Sequence, residues 1–267
     1  MKDLKGSSRQ VTLIGDNEQV VRKRVNPKRV DRTRNEIVNF AVLSQAGINV
    51  PAYLGSPSDL EFDFAYISGH GYVRQLEVSP NSLHALAITT AAIVDLSSHD
   101  EHCLTCIPQK PQDRTRILKR SMDDLEMFGS NEWFSPYLGD IEEMLSQDYA
   151  TASIFDMTVR QFIYNPHSDK CYLVDAECFS VFDYHYSVAK MITSMLGEHW
   201  PRNQIEEYRT LYDKYSDTQL SWSRVGLWCA YNDLRLAAIH KDNESMQSFV
   251  GPAIERLQAN KAVPWTR

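Results

Sequence analysis

Ile154-Phe155-Asp156-Met157-Thr158-Val159-Arg160-Gln161-Phe162-Ile163-Tyr164-Asn165-Pro166-His167-Ser168-Asp169-Lys170-Cys171-Tyr172-Leu173-Val174-Asp175-Ala176-Glu177 is the stretch that decides the fold. It reads as two short apolar strands, Phe162–Tyr164 and Cys171–Val174, joined by an Asn-Pro-His-Ser-Asp turn. Asp156 precedes this hairpin and Asp175 follows it. Because a hairpin folds the chain back on itself, both carboxylates are expected at one rim. Paired carboxylates there can hold a divalent cation and accept a proton, which phosphoryl transfer from a nucleotide requires. An isolated pair of this kind equally fits a surface hairpin with solvated acids, so the rest of the chain must decide.

A chain of 267 residues can form one large domain or two lobes around a substantial core. Its 43% hydrophobic and 24% charged residues are those of a soluble globular protein. The net charge is −7, and the longest basic run is Arg22-Lys23-Arg24, which argues against nucleic-acid binding through a basic face. The first residues lack an apolar signal-peptide core, and no run is long enough for a membrane span. Five cysteines in a chain of this length fit a reducing compartment, with the cytoplasm as the expected location. His99, His102, Cys103 and Cys106 are zinc-ligand types close together, or else a polar loop with semi-buried thiols.

The first 68 residues read as a sheet with one helix. Strands are expected at Val11–Ile14, Gln19–Val25 and Phe62–Ile67, and a helix over Val30–Ala46, stopped by Gly47. Gly6-Ser7-Ser8 lies in a small-residue loop whose backbone N–H groups can face phosphate oxygens, or which is simply a hairpin turn. Ser68-Gly69-His70-Gly71 marks a flexible joint, so the lobes are placed at 1–68 and 69–267. Beyond it, a helix capped by Asn81 or Ser82 runs to about Leu96. Others are expected at Asp113–Phe128, Pro136–Gln147, Tyr186–Leu196, Gln204–Tyr215, Trp222–His240 and Glu244–Ala259, with the hairpin supplying the only clear strands of this half. The expected class is α+β, a small antiparallel β lobe with one helix followed by a larger, mainly helical lobe.

Lys23 sits in an expected strand, and Glu36 follows on the helix. A strand lysine held by a helix glutamate can present its ammonium to nucleotide phosphates. Alternatively, Lys23 belongs to a solvated basic run and Glu36 to a helix surface. In combination these segments resemble the protein-kinase-like fold, in its aminoglycoside phosphotransferase and choline kinase branch. Gly6-Ser7-Ser8 occupies the place of the phosphate-covering loop. Gly47-Ile48-Asn49-Val50-Pro51 resembles the run that follows the helix, and Leu96-Ser97-Ser98-His99 the end of the first large-lobe helix. Phe64-Ala65-Tyr66-Ile67-Ser68-Gly69 resembles the interlobe linker, whose backbone meets the adenine at Tyr66 and Ile67. Val174-Asp175-Ala176-Glu177 resembles the metal motif, and Phe182-Asp183-Tyr184-His185-Tyr186-Ser187-Val188-Ala189 the acidic turn that braces the catalytic loop.

The resemblance implies an ATP- or GTP-dependent, Mg²⁺-assisted phosphotransferase acting on a hydroxyl of a small molecule such as an aminoglycoside, an amino alcohol or a sugar-like compound. Lys23, oriented by Glu36, would neutralise the charge of the nucleotide's phosphates, and Asp156 would be the catalytic base. Gln161, Asp175 and Glu177 would be the metal residues. Four positions depart from the family's pattern: Ile154-Phe155 replaces His-Gly, Gln161 replaces Asn, and Ser187 replaces a second Asp. These departures keep two alternatives open, an inactive pseudokinase module that binds partners and a nucleotidyl transferase that moves AMP. Acids (Asp123, Asp124, Glu126, Glu206, Glu207) and tryptophans (Trp133, Trp200, Trp222, Trp228) suit a cationic acceptor, or are surface acids and core aromatics.

Overall fold

The computed structural model describes residues 2–4, 10–14, 19–72, 78–99, 104–106, 111–126, 135–240, 251–253 and 255–256. The fold is α+β. Its N-terminal part is an antiparallel sheet of β1 (Lys2–Leu4), β2 (Gln10–Ile14), β3 (Val20–Arg24), β4 (Tyr53–Ser58) and β5 (Glu61–Ala65), in the order β1-β2-β3-β5-β4. Strand alternation resolves the Arg22-Lys23-Arg24 run, because neighbouring side chains leave opposite faces of the sheet. Arg22 and Arg24 pair with Asp63 and Glu61, the residues directly opposite them on β5. Lys23 turns to the other face and is buried.

The helix α1 (Val30–Gln45) turns Glu36, Asn39, Phe40 and Leu43 inward. Phe40 meets the edge of Phe64 on β5, with ring centroids 5.9 Å apart. Gly47, at φ +81°, ends the helix: Ile48 N–H reaches Leu43 O at 2.9 Å and Gly47 N–H reaches Ser44 O at 3.0 Å. This paired closure satisfies carbonyls that the helix end would otherwise orphan.

One strand joins the hairpin from outside it. β6 (His70–Gly71) pairs with β8 (Phe162–Asn165), which pairs with β9 (Lys170–Leu173). β7 (Ala152–Ile154) pairs with β10 (Phe179–Val181), closing a small sheet around the same segment. The β8–β9 turn is built by Asn165, whose side-chain oxygen accepts from His167 N–H at 2.9 Å, and by Asp169 in the left-handed region at φ +53°.

Helices form the rest: α2 (Pro80–His99), α3 (Pro111–Glu126), α4 (Ser135–Ser146), α5 (His185–Gly197), α6 (Arg202–Tyr215) and α7 (Trp222–His240). α2 is buried on several sides, with Leu83, Leu86, Ala87, Thr90, Ala91 and Val94 enclosed, as expected of a central helix. α6 instead shows one apolar face, Ile205, Tyr208 and Tyr212, at helical spacing. Its Tyr208 hydroxyl bonds Thr90 of α2 at 2.8 Å, satisfying both buried groups.

Several sequence expectations change here. α2 begins a turn early because Pro80 suits the first helical position, so Ser79, not Asn81 or Ser82, accepts the Ser82 N–H at 3.1 Å. The joint at Ser68–Gly71 is partly strand, since His70–Gly71 is paired. β4 was hidden by Gly55 and Pro57, which an edge strand with register shifts tolerates. β7 and β10 are each three residues long, too short to show a period. The C-terminal helix expected over 244–259 is described only at 251–253 and 255–256, which are helical.

Candidate active site

Lys23 Nζ lies 2.7 Å from Glu36 Oε1, in a pair buried between β3 and α1. The ammonium also stands 4.9 Å from the centroid of the Phe64 ring, an electrostatically favourable seat. From there it reaches Val174 O at 3.4 Å, the carbonyl immediately before Asp175. Glu36 Oε1 accepts from Ala176 N–H at 3.4 Å, and Asn39 Nδ2 donates to Ala176 O at 2.9 Å. Asn39 is fully buried and also accepts from Thr105 N–H at 2.8 Å, so all its polar capacity goes to fixing one geometry. The segment carrying Asp175 is therefore fastened to α1 on both sides of Ala176. Leu173 N–H adds a bond to Asn49 O at 3.0 Å, just beyond the Gly47 turn.

On the other side of the hairpin, Asp156 follows β7. Its side chain is 59% exposed, yet it sits against a protein wall. Burial raises its pKa above the ordinary value, Lys190 at 3.9 Å and Arg235 oppose that rise, and Asp175 adds to it. Asp175 Oδ1 accepts from Glu177 N–H at 3.3 Å, and Glu177 itself is buried.

Comparison with known proteins adds the fold. No family model and no curated protein matches the sequence. Aminoglycoside 2′-phosphotransferase-IIIa, in a GDP complex, superposes with a TM-score of 0.70 at 15% identity, over 98% of this chain and 92% of that one. A choline/ethanolamine kinase family protein from Mesorhizobium loti gives 0.68 at 15% identity, over 99% and 89%. Choline kinase LicA from Streptococcus pneumoniae gives 0.65 at 15% identity, over 99% and 93%. The chain has the protein-kinase-like fold.

Within this kinase-like fold, each departure from the family's sequence pattern has a visible structural counterpart. Where His-Gly would anchor the catalytic loop, Ile154 pairs with Phe179 and Phe155 stacks on Tyr186, ring centroids 4.5 Å apart. Phe155 N–H also bonds Cys178 O at 2.9 Å. Where a second acid would brace the loop, Ser187 Oγ accepts from Ile154 N–H at 2.8 Å and meets Ser153 Oγ at 2.8 Å. The first acid of that turn, Asp183, is buried and receives bonds from His185, Arg224 and Trp228. Burial pushes its carboxyl upward, but His185, Arg224 and Trp228 outweigh this and bring it down to about 2.

Gln161 stands where Asn is usual. Its Oε1 accepts a long bond, 3.3 Å, from Thr158 N–H, while its carbonyl takes Val174 N–H at 2.8 Å. The residue thus ties the loop after Asp156 to the strand before Asp175. An amide oxygen has two lone pairs, so one remains for a cation. Magnesium keeps several waters and needs only one or two carboxylates plus substrate phosphates. Asp175 and Gln161 fit that requirement; among the described residues no three His, Cys, Asp or Glu side chains cluster as a metal site.

The linker is placed differently from the simplest expectation. Tyr66 N–H is bonded to Gln19 O at 2.8 Å, so Tyr66 can offer an adenine its carbonyl but not its N–H, and Ile67 follows it between the sheets. Gly69, at φ +154°, passes so close to β8 that an added Cβ would stand 2.2 Å from Tyr164 O. Gly6, Ser7 and Ser8 lie outside the described residues; β1 and β2, which flank them in the chain, are paired. His102, Cys103 and Trp133 also lie outside, while His99 bonds Asp95 O and Cys106 is half-buried.

Trp228 is fully buried among Phe182, Tyr186 and Tyr231, Trp200 packs by Tyr72, and Trp222 bonds Asp213. Glu206 is held by Arg202 and Arg209 on the α6 surface. Sequence reasoning missed Asn39, Lys190 and Arg235. Asn39 interrupts the inward face of α1 with a polar residue, and that interruption was the one available signal.

Proposed function

We propose that this protein transfers the γ-phosphoryl group of ATP or GTP to a hydroxyl of a small molecule. The observation that carries the reading is the Lys23–Glu36 pair, which is bonded directly to the backbone on both sides of Asp175. Lys23 would neutralise phosphate charge at a position Glu36 fixes, and backbone of the Tyr66–Ile67 linker and of the Gly6-Ser7-Ser8 loop would hold adenine and phosphates. Asp175 and the amide oxygen of Gln161 would hold Mg²⁺, with Glu177 behind them; the ion supplies charge neutralisation for the phosphate oxygens. Asp156 orients the acceptor hydroxyl. The acceptor oxygen bonds to the γ-phosphorus, the bond to the β–γ bridging oxygen breaks, the hydroxyl proton passes to Asp156, and the nucleoside diphosphate departs.

Solved structures of the same fold support a nucleotide ligand. They include an aminoglycoside phosphotransferase with ADP and an amicoumacin kinase with AMP-PNP and Ca²⁺, at 16% and 10% identity. No helix of the described residues is long and apolar enough to cross a membrane, which fits a protein meeting its nucleotide in the cytoplasm. Incubation with γ- or α-labelled ATP and Mg²⁺ tests the reading, with Asp156→Asn as control. Label transferred from the γ position alone supports phosphotransfer, and Asp156→Asn should lower it by about 10²–10⁴-fold while nucleotide binding persists. Transfer from the α position would instead mean AMP transfer. Nucleotide uptake without any transfer would mean a binding module.

A further inference from the structure

The wall beside Asp156 is cationic. Lys190, on α5, has its Nζ 3.9 Å from Asp156 Oδ1, longer than the 2.7–2.9 Å or so of a charge-assisted hydrogen bond. Its side chain is 14% exposed, so the ammonium is largely desolvated. Arg235, on α7, lies over Phe155, the residue before Asp156, with its guanidinium carbon 5.8 Å from the ring centroid. One of its nitrogens stands 3.5 Å from the Tyr186 hydroxyl, a long contact to a neutral group. Packing against aromatic rings fixes the guanidinium plane without consuming its charge.

The acids around these cations are mostly committed. Asp233, which also acts on Lys190, is clamped by Arg256 through contacts of 2.8 and 2.6 Å. Asp175 accepts from Glu177 N–H at 3.3 Å and is assigned to the cation above. Among the described residues, Asp156 is then the one carboxylate left for both Lys190 and Arg235, and His240 lies beside the same two cations. A cationic amine entering here would meet like charge at the point where its hydroxyl must approach Asp156.

We propose that Lys190 and Arg235 form an oxyanion subsite beside Asp156, and that the acceptor is an alcohol bearing a carboxylate or phosphate rather than an amine. This rests on the phosphotransferase reading, because it names the acceptor of that site. Arg235 supplies a planar donor pair suited to such groups, and Lys190 a point charge nearer the reacting hydroxyl.

The test uses the full chain saturated with AMP-PNP and Mg²⁺, so that the nucleotide site is filled, and titrates it calorimetrically with inorganic phosphate, gluconate, glucosamine and ethanolamine. Phosphate and gluconate should bind saturably, and each of Lys190→Met and Arg235→Gln should weaken them about tenfold, while Arg235→Lys, which keeps the charge but not the planar donor pair, restores only part of that loss. Nucleotide uptake should be unchanged in all three variants, which also reports that they are folded. The proposal is overturned if the wild type binds neither anion, if the variants bind them as well as the wild type, or if glucosamine or ethanolamine binds more tightly than gluconate. Failure to take up AMP-PNP sinks the phosphotransferase reading and this one with it. Uptake without variant-sensitive anion binding sinks this one alone.

Discussion

Replacing Ser187 by Ala should cost both stability and turnover. The hydroxyl is buried and makes two contacts of 2.8 Å, one from Ile154 N–H and one with Ser153 Oγ. Its loss leaves the Ile154 amide in a buried place without that acceptor, at a cost of about 1–3 kcal/mol, and the Ser153 contact adds about 1 kcal/mol. A total of about 2–4 kcal/mol corresponds to a fall in melting temperature of roughly 5–10 °C for a chain of this size. Asp156 lies two residues beyond Ile154, so a loosened β7 also displaces the base. An error of about 1 Å there can lower turnover by about 10²-fold. Thermal melting and γ-phosphoryl transfer, measured on the same preparation, report the two effects separately. A variant that melts within a degree of wild type and keeps full turnover refutes the argument that this serine braces the loop in place of an acid.

Three other outcomes follow from the same geometry. Because Asp183 is depressed from 3.8 to about 2 on folding, it contributes stability above pH ~4 that is lost as pH falls through about 2. That difference amounts to about 2 kcal/mol, so melting curves between pH 2 and 5 should be steeper for wild type than for Asp183→Asn, and equal slopes would discount the linkage. The raised pKa of Asp156 places the acid limb of kcat/KM above the ordinary carboxylate range, since the base must be ionised to take a proton. Lys190→Met removes a charge that lowers this pKa, so the limb should move to still higher pH; a limb that stays put contradicts the pairing. Gly69→Ala should destabilise the protein by about 1–3 kcal/mol, because its Cβ would meet Tyr164 O at 2.2 Å in a backbone conformation that side chains avoid. Unchanged melting of that variant would argue against the close approach of linker and hairpin.

What the sequence revealed, and what it hid, divides along physical lines. Lys23 and Glu36 were legible only through the resemblance of their segments to a known pattern, since a strand lysine in a basic run and a helix glutamate equally suit a solvated surface, whereas the hairpin was legible because its turn residues are distinctive. β4 was obscured by glycine and proline that only an edge strand tolerates, which is a tertiary circumstance. Phe155 and Ser187 read as losses, since a motif describes residue types, whereas the loop requires an anchor that aromatic stacking and a hydroxyl also provide. Lys190 and Arg235 carried no signal at all. Their meeting beside Asp156 depends on how α5 packs on α7, and no spacing within either helix encodes it.

A lever needs play at its pivot, and α1 has very little. Swinging the helix away from β3 would break the Glu36 and Asn39 bonds together, since both residues grip Ala176. At about 1 kcal/mol for each of these three bonds, the loss is about 3 kcal/mol, which restricts the swung-out helix to less than about one molecule in a hundred. The lysine, the carboxylate expected to take the metal and the helix between them thus behave as one welded joint.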